Sequence, residues 1–134
     1  AYLVVGVDLV KNKKILERAY NDKEGITAKF NKNILKVINT KYGLNFKVND
    51  FEHKAFYNVK KNRIEMHLST KKNFSQVLNK RNIKFSKGET IHTENSHKYT
   101  KNKFSKLARN SGFEVVKILT DKKNFFGVFL LKVK

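Results

Sequence analysis

The chain contains no cysteine, no proline and no tryptophan, and its six glycines are scattered singly. Without cysteine, a disulfide framework and a thiolate metal site are both excluded. No G-x-G occurs, so the chain carries no glycine-rich loop of the kind that grips a nucleotide cofactor. Long hydrophobic runs are lacking too. Leu3–Val7 and Phe125–Val133 are the longest near-apolar stretches, and both fall far short of a membrane span. The start lacks a basic segment leading into an apolar stretch with a small-residue cleavage site, so no signal peptide is read. A soluble cytoplasmic protein with no membrane partner is the expectation. Neither H-E-x-x-H nor G-x-S-x-G is present, and no catalytic residue is assigned.

Acidic residues are scarce: 30 Lys and Arg stand against 11 Asp and Glu, for a net charge of +19. Such a balance raises the prospect of a polyanionic partner. Nucleic-acid binders, however, tend to gather their cations on one face or in one run. Here lysine is spread from Lys11 to Lys134, and no window holds five consecutive basic residues. Arginine occurs only at 18, 63, 81 and 109, whereas asparagine occurs sixteen times. That combination reads as the codon bias of an AT-rich genome, and no specific nucleic acid is expected.

With 134 residues, 40% of them hydrophobic and 12% aromatic, the chain can bury a real core. It begins directly with the apolar Tyr2–Val7, which reads as a chain starting inside a larger fold. Tyr2–Asp8 has the look of a strand buried on both faces, as in a parallel sheet. Asn12 is placed to cap a short helix through Tyr20. A turn at Asn21–Gly25 precedes the clearest helix, Thr27 to Tyr42. Phe30, Ile34, Val37, Ile38 and Tyr42 form its apolar stripe, and Gly43 follows as its stop.

After Gly43 the period changes. Phe51–Asn58, Arg63–Ser69 and Ile83–Phe85 read as antiparallel strands, and Ile64, Met66 and Leu68 share one face. Thr90–Tyr99 is read as extended. Thr100 caps a helix to Ser111 with Phe104, Leu107 and Ala108 inward, and strands at Phe113–Thr120 and Phe125–Lys134 close the chain. The fold class expected is α/β: the C-terminal remnant of a doubly wound, Rossmann-like sheet with an inserted α+β substrate-binding subdomain. Residues 1–10 and 97–134 would be core, and 11–96 the insertion. The front of such a sheet, where the cofactor loop resides, is the part not seen here.

Three stretches, in order, resemble one family. The first runs from Leu3-Val4-Val5-Gly6-Val7-Asp8-Leu9-Val10-Lys11 through Ala19-Tyr20-Asn21-Asp22 to Gly25-Ile26-Thr27-Ala28-Lys29-Phe30-Asn31-Lys32-Asn33. The second is Phe51-Glu52-His53 with Arg63-Ile64-Glu65-Met66-His67-Leu68. The third is Gly88-Glu89, then Thr93-Glu94-Asn95-Ser96-His97-Lys98-Tyr99, closed by Thr120-Asp121 and Phe125-Phe126. Together they resemble the histidine-specific, S-adenosylmethionine-dependent methyltransferases, whose founding activity belongs to ergothioneine biosynthesis. The resemblance implies methyl transfer from S-adenosylmethionine to the α-amino group of histidine or a related amino acid. It also implies that the missing N-terminal part of the same polypeptide holds most of the cofactor.

By that resemblance Tyr20 holds the amino acid's backbone end, Glu94 and Ser96 grip the imidazole, and Met66 lines the pocket. The chemistry suits these roles. An imidazole offers one ring N–H and one nitrogen whose role follows its protonation, and a carboxylate with a hydroxyl can meet both. On a regular strand Glu94 and Ser96 point to one face. On residue chemistry alone, Tyr20 also reads as a helix-end boundary residue, Met66 as core, and Glu-x-Ser as a solvated face. His53, His67, His92 and His97 show no metal-ligand spacing on a helix. Two other readings stay open: a basic nucleic-acid-binding module, and a stand-alone amino-acid-binding domain.

Overall fold

The computed structural model describes residues 1–134. Its elements run β1 (Tyr2–Asp8), α1 (Lys13–Tyr20), α2 (Ile26–Tyr42), a 3-10 turn (Val48–Asp50), β2 (Phe51–Asn58), β3 (Arg63–Thr70) and β4 (Phe74–Leu78). Then follow β5 (Arg81–Phe85), β6 (Thr90–His97), α3 (Lys101–Asn110), β7 (Phe113–Thr120) and β8 (Phe126–Val133). They fall into two compact units. The first comprises Ala1–Lys13, Asn58–Arg63 and Ser96–Lys134, and the second Lys14–Tyr57 and Ile64–Asn95. No helix is long and apolar enough to cross a membrane.

In the first unit the sheet order is β1-β8-β7, with β8 antiparallel to both neighbours. The expectation of a parallel strand buried on both faces therefore does not hold for β1. Its partner is antiparallel, and Tyr2, Leu3 and Val4 are exposed. The second half of the strand enters the core, where Val7 and, just past the strand, Leu9 meet Phe129, Leu131 and Ala108, with Val5 packed against them. On β8 the buried residues alternate as Gly127, Phe129 and Leu131, the period of a strand with one face inward. Gly6 leaves room for the Phe126 ring, which would lie 2.8 Å from a Cβ at that position.

Helix α3 starts as its sequence predicts, with the Thr100 side chain accepting from the Lys103 amide at 3.2 Å. Its inward stripe differs from the expected one. Phe104 packs against the core, Ser105 and Ala108 are buried, and Leu107 stays exposed. The stripe runs through i, i+1 and i+4, so the i+3 position falls outside it.

In the second unit β2, β3 and β6 form one sheet in the order β2-β3-β6. Ile64, Met66 and Leu68 share a face as expected, and all three are buried. Leu16 of α1 packs with Tyr57, Ile64 and Met66, and Tyr20 and Ala55 border that cluster. Leu35 of α2 packs with Phe51 and Leu68, bordered by Phe46 and Phe74 among others. Rings of Phe46, Phe51 and Phe74 meet edge to face, with centroids 5.6 to 6.2 Å apart.

A hairpin of β4 and β5 also belongs to this unit; its first strand has no counterpart in the reading of the sequence. Asn79 and Lys80 both adopt positive φ, at 49° and 62°. That is the requirement of a two-residue hairpin turn of the primed type. Asn-Lys in place of Asn-Gly leaves the turn without its usual signature.

Helix α2 begins one residue before the expected Thr27, and its start is fixed from upstream. The Asp22 carboxylate accepts from the Ile26 and Thr27 amides at 2.7 and 2.9 Å. Hydrogen bonds from the Thr27 hydroxyl, then from those two amides, hold its pKa down to about 2. At the far end Gly43 takes φ 63° and its N–H reaches the Asn39 carbonyl. The apolar stripe read from the sequence is not the buried side of α2. Phe30 is 63% exposed, and Ile34, Val37 and Tyr42 are exposed as well, while Asn31 at 4% and Leu35 at 1% face the interior. Of the stripe, Ile38 packs on the core.

Two outcomes follow for stability. Phe129→Ala is expected to lower the unfolding free energy by about 3–5 kcal/mol, and Leu107→Ala by no more than about 0.5 kcal/mol, in urea titrations. Because the Asp22 pKa is depressed in the folded state, its contribution is full above the ordinary carboxylate range. It is lost as the pH falls from about 4 toward 2. Acid titration by circular dichroism should show this part of the transition flattened in Asp22→Asn.

Candidate functional site

Asn31 occupies a position on the Leu35 side of α2, one turn before that leucine, and points its amide into the second unit. Its Nδ2 donates to His53 Nδ1 at 2.9 Å and to the His67 carbonyl at 3.1 Å. Its Oδ1 accepts from the Thr93 hydroxyl at 2.6 Å, and that hydroxyl also lies 3.0 Å from the Met66 carbonyl. Since Asn31 is the donor, His53 Nδ1 is the accepting nitrogen. The other ring nitrogen, Nε2, then carries the proton and donates to the Tyr20 carbonyl at 2.8 Å. One buried amide thereby links α2 to β2, β3 and β6, and through His53 to the end of α1.

Of the four residues singled out from the sequence, Tyr20 and Met66 come together in the cluster around Leu16 and Ile64. Met66 is buried there, and Tyr20 borders it. Glu94 is exposed on β6. It lines a recess of about 250 Å³ with Phe30, Asn31, Asn33, Ile34, Val37 and Thr93. The misplaced apolar stripe of α2 is thus the wall of this recess. Ser96 lies in the first unit, two residues along the same strand. Exposure along β6 changes phase at Glu94–Asn95, and His92 Nε2 reaches Asn95 Oδ1 at 2.8 Å. The regular alternation expected to carry Glu94 and Ser96 onto one face is interrupted between them.

Around Ser96 the first unit holds a second polar network. Lys98 Nζ donates to Ser96 Oγ at 2.8 Å and pairs with Asp8 Oδ2 at 2.8 Å. Lys11 pairs with the other Asp8 oxygen. Burial pushes the Asp8 carboxyl up, but hydrogen bonds from Lys11 and Lys98, together with their charges, outweigh it and hold it below its ordinary value. A recess lined in part by Asp8, Ser96, Tyr99 and Phe126 opens beside these groups.

The structure also gathers Glu65, His67 and His92, whose donor atoms lie within 4.8 Å of one another. Sequence spacing conceals this grouping because the residues come from two strands. The His67 and His92 rings are stacked, 4.4 Å apart and 13° from parallel, with Phe56 stacked on the far side of His67. A metal binds in the plane of an imidazole, about 2.0–2.1 Å from its nitrogen. Two stacked, near-parallel rings do not converge on such a point. What the grouping does is local: His92 Nε2 donates to the Glu94 carbonyl at 3.2 Å and steadies the strand at Glu94.

Comparison with known proteins adds a family. A family model described as histidine-specific, SAM-dependent methyltransferase matches residues 1–133. The chain is 37% identical over 131 residues to the histidine N-alpha-methyltransferase of Mycolicibacterium smegmatis. It is 35% identical over 130 residues to the protein of the same name from Mycobacterium tuberculosis. Each alignment covers 96% of this chain, which spans 40% of the length of either relative.

Asn31→Ala would strand the His67 carbonyl, His53 and Thr93 in the interior. It is expected to cost about 1–3 kcal/mol of stability in denaturant titrations, the usual penalty of buried partners left unpaired. Unchanged stability would show that the amide is dispensable to the fold.

Proposed function

The chain belongs to the family of histidine-specific, S-adenosylmethionine-dependent methyltransferases, and from that premise we propose that it is the substrate-recognising C-terminal part of an enzyme that methylates the α-amino group of histidine. The observation that carries this reading is Glu94, a carboxylate at a recess walled by Phe30, Ile34 and Val37. An imidazole suits such a place. Its faces and C–H edges rest on apolar walls while its N–H donates to the carboxylate, a charge-assisted bond stronger than a neutral one. In this reading Ser96 meets the second ring nitrogen, Tyr20 holds the backbone end, and Met66 backs the pocket.

S-adenosylmethionine supplies a sulfonium whose methyl carbon is already electrophilic. Residues 1–134 contain no glycine-rich loop, so the reading assigns most of the cofactor's contacts to polypeptide outside this chain. The share of this chain is to bind and orient the amino acid and to shield it from water. The amine that attacks must be neutral and in line with the methyl group, which positioning alone can favour by a large factor. No protein nucleophile is needed, in keeping with the absence of a nucleophile motif.

For the first unit we propose the end of a doubly wound sheet, with the second unit as the substrate-recognition insertion. Support comes from the order β1-β8-β7 with β8 antiparallel to both, which leaves β1 and β7 parallel to each other. The exposed Tyr2, Leu3 and Val4 of β1 would then be covered by the remainder of the same polypeptide.

In the full-length protein, Glu94→Ala is expected to raise the KM for histidine tenfold or more, about 1.4–3 kcal/mol for a lost charge-assisted bond. The assay follows methylated histidine by mass spectrometry with S-adenosylmethionine as donor. An unchanged KM would remove Glu94 from the site, and no methylation of histidine at all by the full-length protein would remove the substrate.

A further inference from the structure

Thr93 and Glu94 are consecutive on β6, yet both line the recess of the second unit. On a regular strand, consecutive side chains point to opposite faces. Thr93 is committed to the α2 side, where its hydroxyl bonds to Asn31 Oδ1 at 2.6 Å and to the Met66 carbonyl at 3.0 Å. A regular strand would therefore carry Glu94 away from α2. The strand is not regular there: exposure alternates from Thr90 to Glu94 and then repeats at Asn95. One side chain spans that break. His92 Nε2 lies 3.2 Å from the Glu94 carbonyl and 2.8 Å from Asn95 Oδ1. Both of these oxygens accept, so Nε2 is the donor to them.

The His92 ring is exposed, but its plane is held. It stacks on His67 of β3, with centroids 4.4 Å apart and planes 13° from parallel, and Phe56 of β2 stacks on the far side of His67 at 5.3 Å. His67 is fixed in turn, its carbonyl accepting from Asn31 Nδ2 at 3.1 Å. We propose that His92 is a positioning residue for substrate binding: its N–H, aimed by the stack, holds the break after Glu94 and so keeps the Glu94 carboxylate at the recess. All of these residues belong to the second unit. The inference rests on the reading above that Glu94 accepts from the ring N–H of the substrate.

The test compares histidine with a thiazolylalanine, the isostere in which the ring N–H is replaced by sulfur, in the full-length protein. A site that hydrogen-bonds a polar group rejects the analogue lacking it by a large factor. The quantity read is the ratio of kcat/KM for histidine over that for the isostere. His92→Phe keeps a planar ring for the stack and removes the N–H. It should lower the ratio tenfold or more, mainly through the KM for histidine and with little change in kcat. His92→Gln returns an amide N–H near the place of Nε2 and should keep the ratio within about threefold of wild type. In the Glu94→Ala background His92→Phe should lower the ratio no further, since both act through one carboxylate. His92→Leu, which gives up stack and N–H alike, is measured beside them, and thermal unfolding identifies the folded variants. A purely structural role for His92 would depress turnover of both substrates and leave the ratio unchanged. Folded His92→Phe and His92→Leu with the wild-type ratio, while Glu94→Ala loses it, overturn the role of His92 and leave Glu94 in the site. A His92→Gln as impaired as His92→Phe overturns it too, because the N–H is then not what matters. If Glu94→Ala itself keeps the ratio, the assignment of Glu94 to the substrate fails, and the inference falls with it.

Discussion

Asn31 spends both amide protons and its carbonyl oxygen on the interior: His53, the His67 carbonyl and the Thr93 hydroxyl are its partners. A buried amide is tolerated only when its groups are met, and meeting all of them at once dictates which side of α2 turns inward. The consequence reaches the candidate site. With Asn31 and Leu35 facing in, Phe30, Ile34 and Val37 must face out, and they become the wall of the recess that Glu94 lines. A core built from the more hydrophobic stripe of that helix would have buried the wall and removed the recess.

The same logic of satisfied polar groups holds the other elements that approach the site. His53 passes the Asn31 bond on to the Tyr20 carbonyl, so the end of α1 is tied to β2 by an imidazole in a single tautomer. Glu17 accepts from the Tyr57 amide at 2.9 Å, a second tie between α1 and β2. In the first unit the Asp8 carboxylate plays the corresponding part, with Lys11 and Lys98 as its cations. The chain is strongly basic, and three of its few carboxylates are committed to nearby donors. Asp8, Asp22 and Asp121 each organise backbone or side-chain donors, and each is held below its ordinary pKa by those bonds.

Much of the fold was legible because its signals are local. Thr100 capping α3, Gly43 ending α2 and the alternation of Ile64, Met66 and Leu68 on β3 are properties of a few adjacent residues, and the structure bears each of them out. Strand β4 was not legible, since its turn adopts positive φ at Asn79 and Lys80 without the glycine that advertises such a turn. The antiparallel setting of β1 was hidden for another reason. The apolar run of β1 says that it can be buried, not which strand pairs with it or in what direction, and that strand, β8, lies more than a hundred residues away.

What the sequence by itself determined is the family, through ordered motifs at matching spacing, and the element types, through periodicity and caps. It also supplied Tyr20, Met66, Glu94 and Ser96 as residues to look for. Only the tertiary structure decided their surroundings. It placed Tyr20 and Met66 in one cluster, set Glu94 against the outward face of α2, and joined Ser96 to Lys98 and Asp8. The physical reason is that hydrophobic periodicity states how much apolar surface a segment offers, not what will cover it. On α2 the inward side is the one that carries the bonded Asn31 amide and Leu35, while Phe30, Ile34 and Val37 of the more hydrophobic stripe face out.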